Sequence, residues 1–93
     1  MARAKAVSSR EVVLEVLRAI AGAAIAEGRE TVYFSKAEFI KTYWELRRKG
    51  RVPGVKIETL LRMLRRFAAE AEFVAYASMK GGKYIINTLK LPL

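Results

Sequence analysis

Between Arg47 and Arg66 the chain carries eight arginines and lysines and a single acid, Glu58. Guanidinium and ammonium groups at that density suit the binding of phosphate, bidentately where the donor is Arg and as a point charge where it is Lys. Arg47, Arg48, Lys49 and Arg51 come first, and Lys56 follows Pro53-Gly54. Thr59, Arg62 and Arg66 then fall within the stretch "ETLLRMLRRF", Glu58 to Phe67, and Lys80 and Lys83 bracket Gly81-Gly82. Each cation alone has a plainer explanation: a solvated helix face, a favourable charge at a helix C-terminus, or a solubilising lysine beside a turn. Their segregation from the acids, which sit in 11–45 and at Glu70 and Glu72, is what argues for a polyanionic partner.

The whole chain repeats that bias. Its 93 residues hold 18 Lys and Arg against nine acids, all Glu, for a net charge of +9. There is no Cys and no His, which removes Cys or His zinc sites and Cys- or His-based nucleophilic catalysis. No glycine-rich loop precedes a helix, so the phosphate-cradling motifs of nucleotide-hydrolysing enzymes are missing too. A non-enzymatic protein without metal or cofactor is expected. Tyr33, Tyr43, Trp44, Tyr76 and Tyr84 lie among the basic residues, and Tyr43, Trp44 and Tyr84 are the candidates for stacking on bases. With one Asn and no Gln beside many Glu, Lys and Arg, the composition suits a thermophile. No apolar run approaches the ~18 residues of a membrane span, and no secretory signal is evident, so a cytoplasmic protein that avoids membranes is expected.

Six elements must position these groups. Ser8 with Glu11 and Ser35 with Glu38 are two capping-box patterns, which predict helices over about 9–27 and 36–49. Between them "ETVYF", 30–34, reads as a short strand. "GRVPG", 50–54, is a loop because Pro53-Gly54 cannot continue a helix. A third helix is expected over about 56–71, with Ile57, Leu60, Leu61, Leu64, Phe67, Ala68 and Ala71 on one side. At ~100° per residue, Arg62 and Arg66 face away from them, while Arg65 borders the apolar side and reads as structural. "EFVAYASM" and "KYIINTLKL" are strand-like, and Gly81-Gly82 between them predicts a two-residue hairpin pairing Met79 with Tyr84, Ala77 with Ile86 and Ala75 with Thr88. The fold class is α+β: one domain over 1–93 in the order α-β-α-α-β-β, beginning with a flexible basic segment, 1–7.

That order resembles a winged helix-turn-helix domain of the small archaeal regulator type. "VKIETLLRMLRRF", 55–67, is similar to the recognition helix of such regulators through Thr59, Leu60, Arg62, Leu64 and Phe67. The loop from Gly50 to Val55 is longer than the usual three or four residues. The resemblance implies that the helix at 56–71 enters a major groove of duplex DNA, with Thr59, Arg62 and Arg66 toward the bases. Lys56 would stand at its start, Arg47, Arg48, Lys49 and Arg51 on the backbone, and Lys80 and Lys83 on the wing. A transcriptional regulator acting as a homodimer is the expected function, with the Ala-rich second half of the first helix as the dimer surface. Two other readings remain open: a single-stranded DNA-binding protein, similar in general composition to the ThermoDBP-related archaeal proteins, and a winged helix used as a protein-interaction module.

Overall fold

The computed structural model describes residues 8–77 and 81–92. The chain runs α1 (Ser9–Ala26), β1 (Thr31–Phe34), α2 (Lys36–Arg48), α3 (Ile57–Glu70), β2 (Val74–Ala77) and β3 (Lys83–Asn87). The expected α+β order is therefore present, in a winged-helix-like topology. Residues 1–7 and Lys80 lie outside the described residues.

Helix boundaries follow from local chemistry. At α2 the capping box is complete: Glu38 N–H donates to Ser35 Oγ at 3.1 Å, and Ser35 N–H donates to Glu38 Oε1 at 2.7 Å. At α1 only half of it forms, Glu11 N–H donating to Ser8 Oγ at 3.2 Å. Both helices end in the same way. Arg29 N–H reaches Ala24 O (2.8 Å) and Arg51 N–H reaches Leu46 O (2.9 Å), around Gly28 and Gly50 at φ 76° and 72°. These six-to-one bonds satisfy orphan carbonyls and require a left-handed residue, which glycine supplies without strain.

Strand order is β1-β3-β2, antiparallel throughout. Val32 and Val74 flank Ile86, and Phe34 and Tyr76 flank Tyr84, on the face toward the helices. Tyr33, Lys83, Ile85 and Asn87 alternate onto the other face. The core joins Val12, Val13, Val16 and Leu17 of α1 to Phe39 and Tyr43 of α2, Leu60, Leu64 and Phe67 of α3, and Phe34, Tyr84 and Ile86 of the sheet. Phe34 stacks on Tyr84 at 5.4 Å between ring centroids. Each buried Leu or Phe of α3 contributes roughly 1.5–3 kcal/mol, which is what fixes the opposite, basic face of that helix outward.

Two expectations about the hairpin are corrected. The observed register pairs Ala77 with Lys83, Tyr76 with Tyr84 and Val74 with Ile86, so the loop is longer than two residues; Met79 falls outside the described residues. The shift is an odd number of residues, which exchanges faces. It puts Val74 and Tyr76, rather than Ala75 and Ala77, beside Tyr84 and Ile86, and so brings the larger side chains to the core side. The last strand also stops at Asn87 instead of running to Leu91. Asn87 Oδ1 accepts from Leu89 N–H at 3.1 Å, a local bond that turns the chain. Thr88 Oγ1 then donates to Arg29 O at 2.7 Å, Leu91 enters the core, and Arg18 Nε donates to Pro92 O at 2.8 Å.

Candidate nucleic-acid interface

The loop 49–56 separates α2 from α3; Lys49, Gly50 and Arg51 bond by backbone N–H to carbonyls of α2, and side chains hold the remainder. Val52 is buried in the core. Tyr43, fully buried on α2, places its hydroxyl between Val55 N–H (2.7 Å) and Val55 O (3.0 Å). Arg47 donates to the same hydroxyl at 3.4 Å, and its guanidinium lies 5.8 Å from the Trp44 ring centroid. It also packs so closely on Gly54 that a Cβ there would stand 2.8 Å from Nη1. The basic end of α2 is thus tied to the approach to α3. Arg48, Lys49, Arg51 and Lys56 are all exposed along this segment. Lys56 is the N-cap residue of α3 and makes no side-chain capping bond.

On α3 the exposed residues are Glu58, Arg62, Arg65, Arg66, Ala69 and Glu70, and Thr59 is half-buried. Arg62 is central to that face. Arg66 lies on the flank toward α1, 3.9 Å from Glu70, beside a cavity that it lines with Arg10, Met63 and Phe67. Arg65 is not the structural arginine expected from the helical wheel: it is exposed, and its guanidinium is near enough to Tyr84 to favour the phenolate. The sequence does carry a signal for it, because Glu58, Arg62, Arg65 and Ala69 recur at steps of four and three along one face.

The aromatic candidates separate by burial. Tyr43 and Tyr84 are buried, 0% and 4% exposed, so neither offers a ring face to a base; that expectation is corrected. Both are core rings whose hydroxyl ends give them an amphipathic look in sequence. Trp44, half-exposed, does offer one. Tyr76 is also half-exposed, edge-on to Tyr84 at 5.1 Å, with its hydroxyl against the backbone of Gly82. Gly81 and Gly82 both take positive φ, at 74° and 78°. Lys83, beside them, is exposed and lies on the sheet face that turns away from the helices.

Ion pairing sharpens the charge asymmetry. Among the described residues, Glu15, Glu27 and Glu72 pair with Arg18, Arg29 and Lys90, in α1, the loop after it and the C-terminal turn. The only pair elsewhere among them is Arg66 with Glu70, between exposed side chains and long at 3.9 Å. The described cations without a carboxylate partner are Arg10, Lys36, Lys41, Arg47, Arg48, Lys49, Arg51, Lys56, Arg62, Arg65 and Lys83. All but Arg10 belong to α2, α3, the loop between them or the hairpin, and Arg10 sits over the Phe67 ring of α3 at 5.0 Å. No helix among the described residues is long and apolar enough to cross a membrane, and among them no cluster of acidic side chains could hold a metal ion. No family model, curated protein or solved structure matches the chain.

Proposed function

We propose that this chain is a winged-helix DNA-binding protein that lays α3 in the major groove of a duplex and sets its hairpin on the neighbouring backbone. One observation carries the reading: the described cations of α2, the 49–56 loop, α3 and the hairpin are left without carboxylate partners, Arg66 excepted. Elsewhere among the described residues Arg18, Arg29 and Lys90 are paired with Glu15, Glu27 and Glu72, and only Arg10, over the Phe67 ring of α3, is not. Unpaired surface charge of one sign costs self-repulsion, and a phosphate backbone relieves it with release of counterions. In this reading Arg62 addresses base edges, where a bidentate guanidinium selects guanine. Arg65 and Arg66 straddle it, and Arg48, Lys49, Arg51 and Lys56 hold phosphates. A regulator of this size covers a half-site and acts as a dimer, for which the exposed Ala19, Gly22, Ala23 and Ala26 of α1 offer a close-packing surface.

Titration of a labelled duplex at two salt concentrations, with Arg62→Ala, Arg65→Ala and Arg29→Ala, tests the reading. Affinity should fall steeply with salt and with the first two changes, and stay unchanged in Arg29→Ala, whose side chain is paired with Glu27. Equal losses from all three would rule out a groove-reading role for α3. Absence of nucleic-acid binding at moderate salt would favour a protein-interaction module instead.

A further inference from the structure

The outer side of α2 carries a second arrangement, centred on Trp44, that shares only Arg48 with the duplex contacts proposed above. Trp44 is the only tryptophan of the chain and is half-exposed. Its inner side meets the buried Tyr43 ring, tilted at 56° with centroids 5.2 Å apart. With Arg47 and Arg48 it lines an open cavity of about 330 Å³. Arg47 is held there by Tyr43 Oη and by its packing on Gly54, with its guanidinium over the indole, 5.8 Å from the ring centroid. Helical spacing puts Lys41 one turn before Trp44 and Arg48 one turn after it, and neither makes an ion pair among the described residues.

The geometry points to Trp44 as a stacking site for one unpaired base of a single-stranded nucleic acid, with Arg47 and Arg48 on one side and Lys41 on the other meeting the flanking phosphates. An indole face between two sets of cations matches a ligand that is flat and apolar in the middle and anionic on both sides. A base in a strand has that form. Inside a duplex its faces are already stacked on neighbours and cannot reach the indole. An acidic peptide would engage the cations and leave the ring uncovered. The site does not depend on α3 entering a groove: it lies on a different helix face and recognises bases that a duplex hides.

Trp44 reports on itself by fluorescence. A single-stranded 12-mer, a blunt duplex of the same length and the matching mononucleotide are each titrated at moderate salt. The strand should quench the emission, and the duplex and mononucleotide should not at equal concentration. Trp44→Ala should weaken strand binding by about 5- to 150-fold, the range for loss of one base–aromatic stack. Trp44→Phe should restore most of it, and both variants should keep wild-type duplex affinity and far-UV circular dichroism. Arg62→Ala, conversely, should spare the strand and weaken the duplex, so the two sites fail separately. Unchanged strand affinity in Trp44→Ala, equal losses for strand and duplex, or equal quenching by the mononucleotide would each overturn the assignment.

Discussion

The hydroxyl of Tyr43 serves both the amide and the carbonyl of Val55, accepting from one at 2.7 Å and donating to the other at 3.0 Å. One side chain of α2 thereby satisfies the polar groups of a residue two positions before α3 begins. Tyr43→Phe keeps the ring and deletes both bonds, leaving two partly buried backbone groups unsatisfied. A loss of about 1–3 kcal/mol is expected, the usual cost of stranding a buried polar group. Urea unfolding measures it. Because the start of α3 is no longer pinned, duplex affinity should fall as well, although Tyr43 itself is buried.

Gly54 is set against Arg47, not against a backbone requirement: its φ is not among the positive values, which belong to Gly28, Gly50, Gly81 and Gly82. A Cβ at 54 would collide with the guanidinium at 2.8 Å from Nη1, the far end of a flexible side chain. Gly54→Ala should therefore displace Arg47 at little cost in stability, within ~1 kcal/mol. The Trp44 emission should shift as the charge leaves the ring. In a double-mutant cycle, Arg47→Ala should abolish the spectral effect of Gly54→Ala; a persisting effect would show that the alanine acts elsewhere.

Local signals make the helices legible in the sequence. Ser35 with Glu38, Gly28, Gly50 and the 57-60-64-67 apolar spacing each act within a few residues, so the boundaries agree to within about one residue. The hairpin register is not legible, because Gly81-Gly82 is compatible with several loop lengths and packing makes the choice. Val74 and Tyr76 reach the core face only in the observed register. Likewise, nothing local distinguishes Tyr43 from Trp44. Adjacent aromatics on a helix point about 100° apart, and only the position of α1 and the 49–56 loop decides which is buried. Arg65 escapes the helical wheel for the same reason: the buried arc of α3, Leu60, Leu64 and Phe67, is narrower than the apolar arc of its sequence.

The α3 arginines should differ in their salt signatures. Each phosphate that a variant no longer neutralises reduces the slope of log affinity against log salt by about 0.9 for duplex DNA. Arg65→Ala should show that reduction with little change in sequence preference. Arg62→Ala should cost about 1–3 kcal/mol on a preferred sequence and flatten discrimination at one position. Arg66→Ala should have the smallest effect, since Arg66 lies toward α1 and is drawn to Glu70. Glu70→Gln, which frees it, should raise non-specific affinity. Identical slopes across the series would mean that none of these side chains reaches the backbone.

Tyr84 links the sheet to α3 through its ionisation. Burial raises its pKa above the ordinary 10.0; the Arg65 charge opposes that shift and Tyr76 adds slightly to it. The folded state thus holds the phenolic proton more tightly than the unfolded state does. The corresponding stability is fully present below pH 10 and is lost as pH rises through the folded-state value. Among the described residues the Tyr84 hydroxyl has no hydrogen-bond partner, so Tyr84→Phe removes no bond and should change stability by less than ~1 kcal/mol at neutral pH. Above pH 10 the same variant should be the more stable one, because it has no phenol to ionise. Arg65→Ala should do the reverse, widening the gap between folded and unfolded pKa and steepening the alkaline loss. Denaturant midpoints measured between pH 8 and pH 11 for the three proteins decide the matter. Parallel curves for wild type and Tyr84→Phe would show that the Tyr84 phenol does not set the alkaline limb.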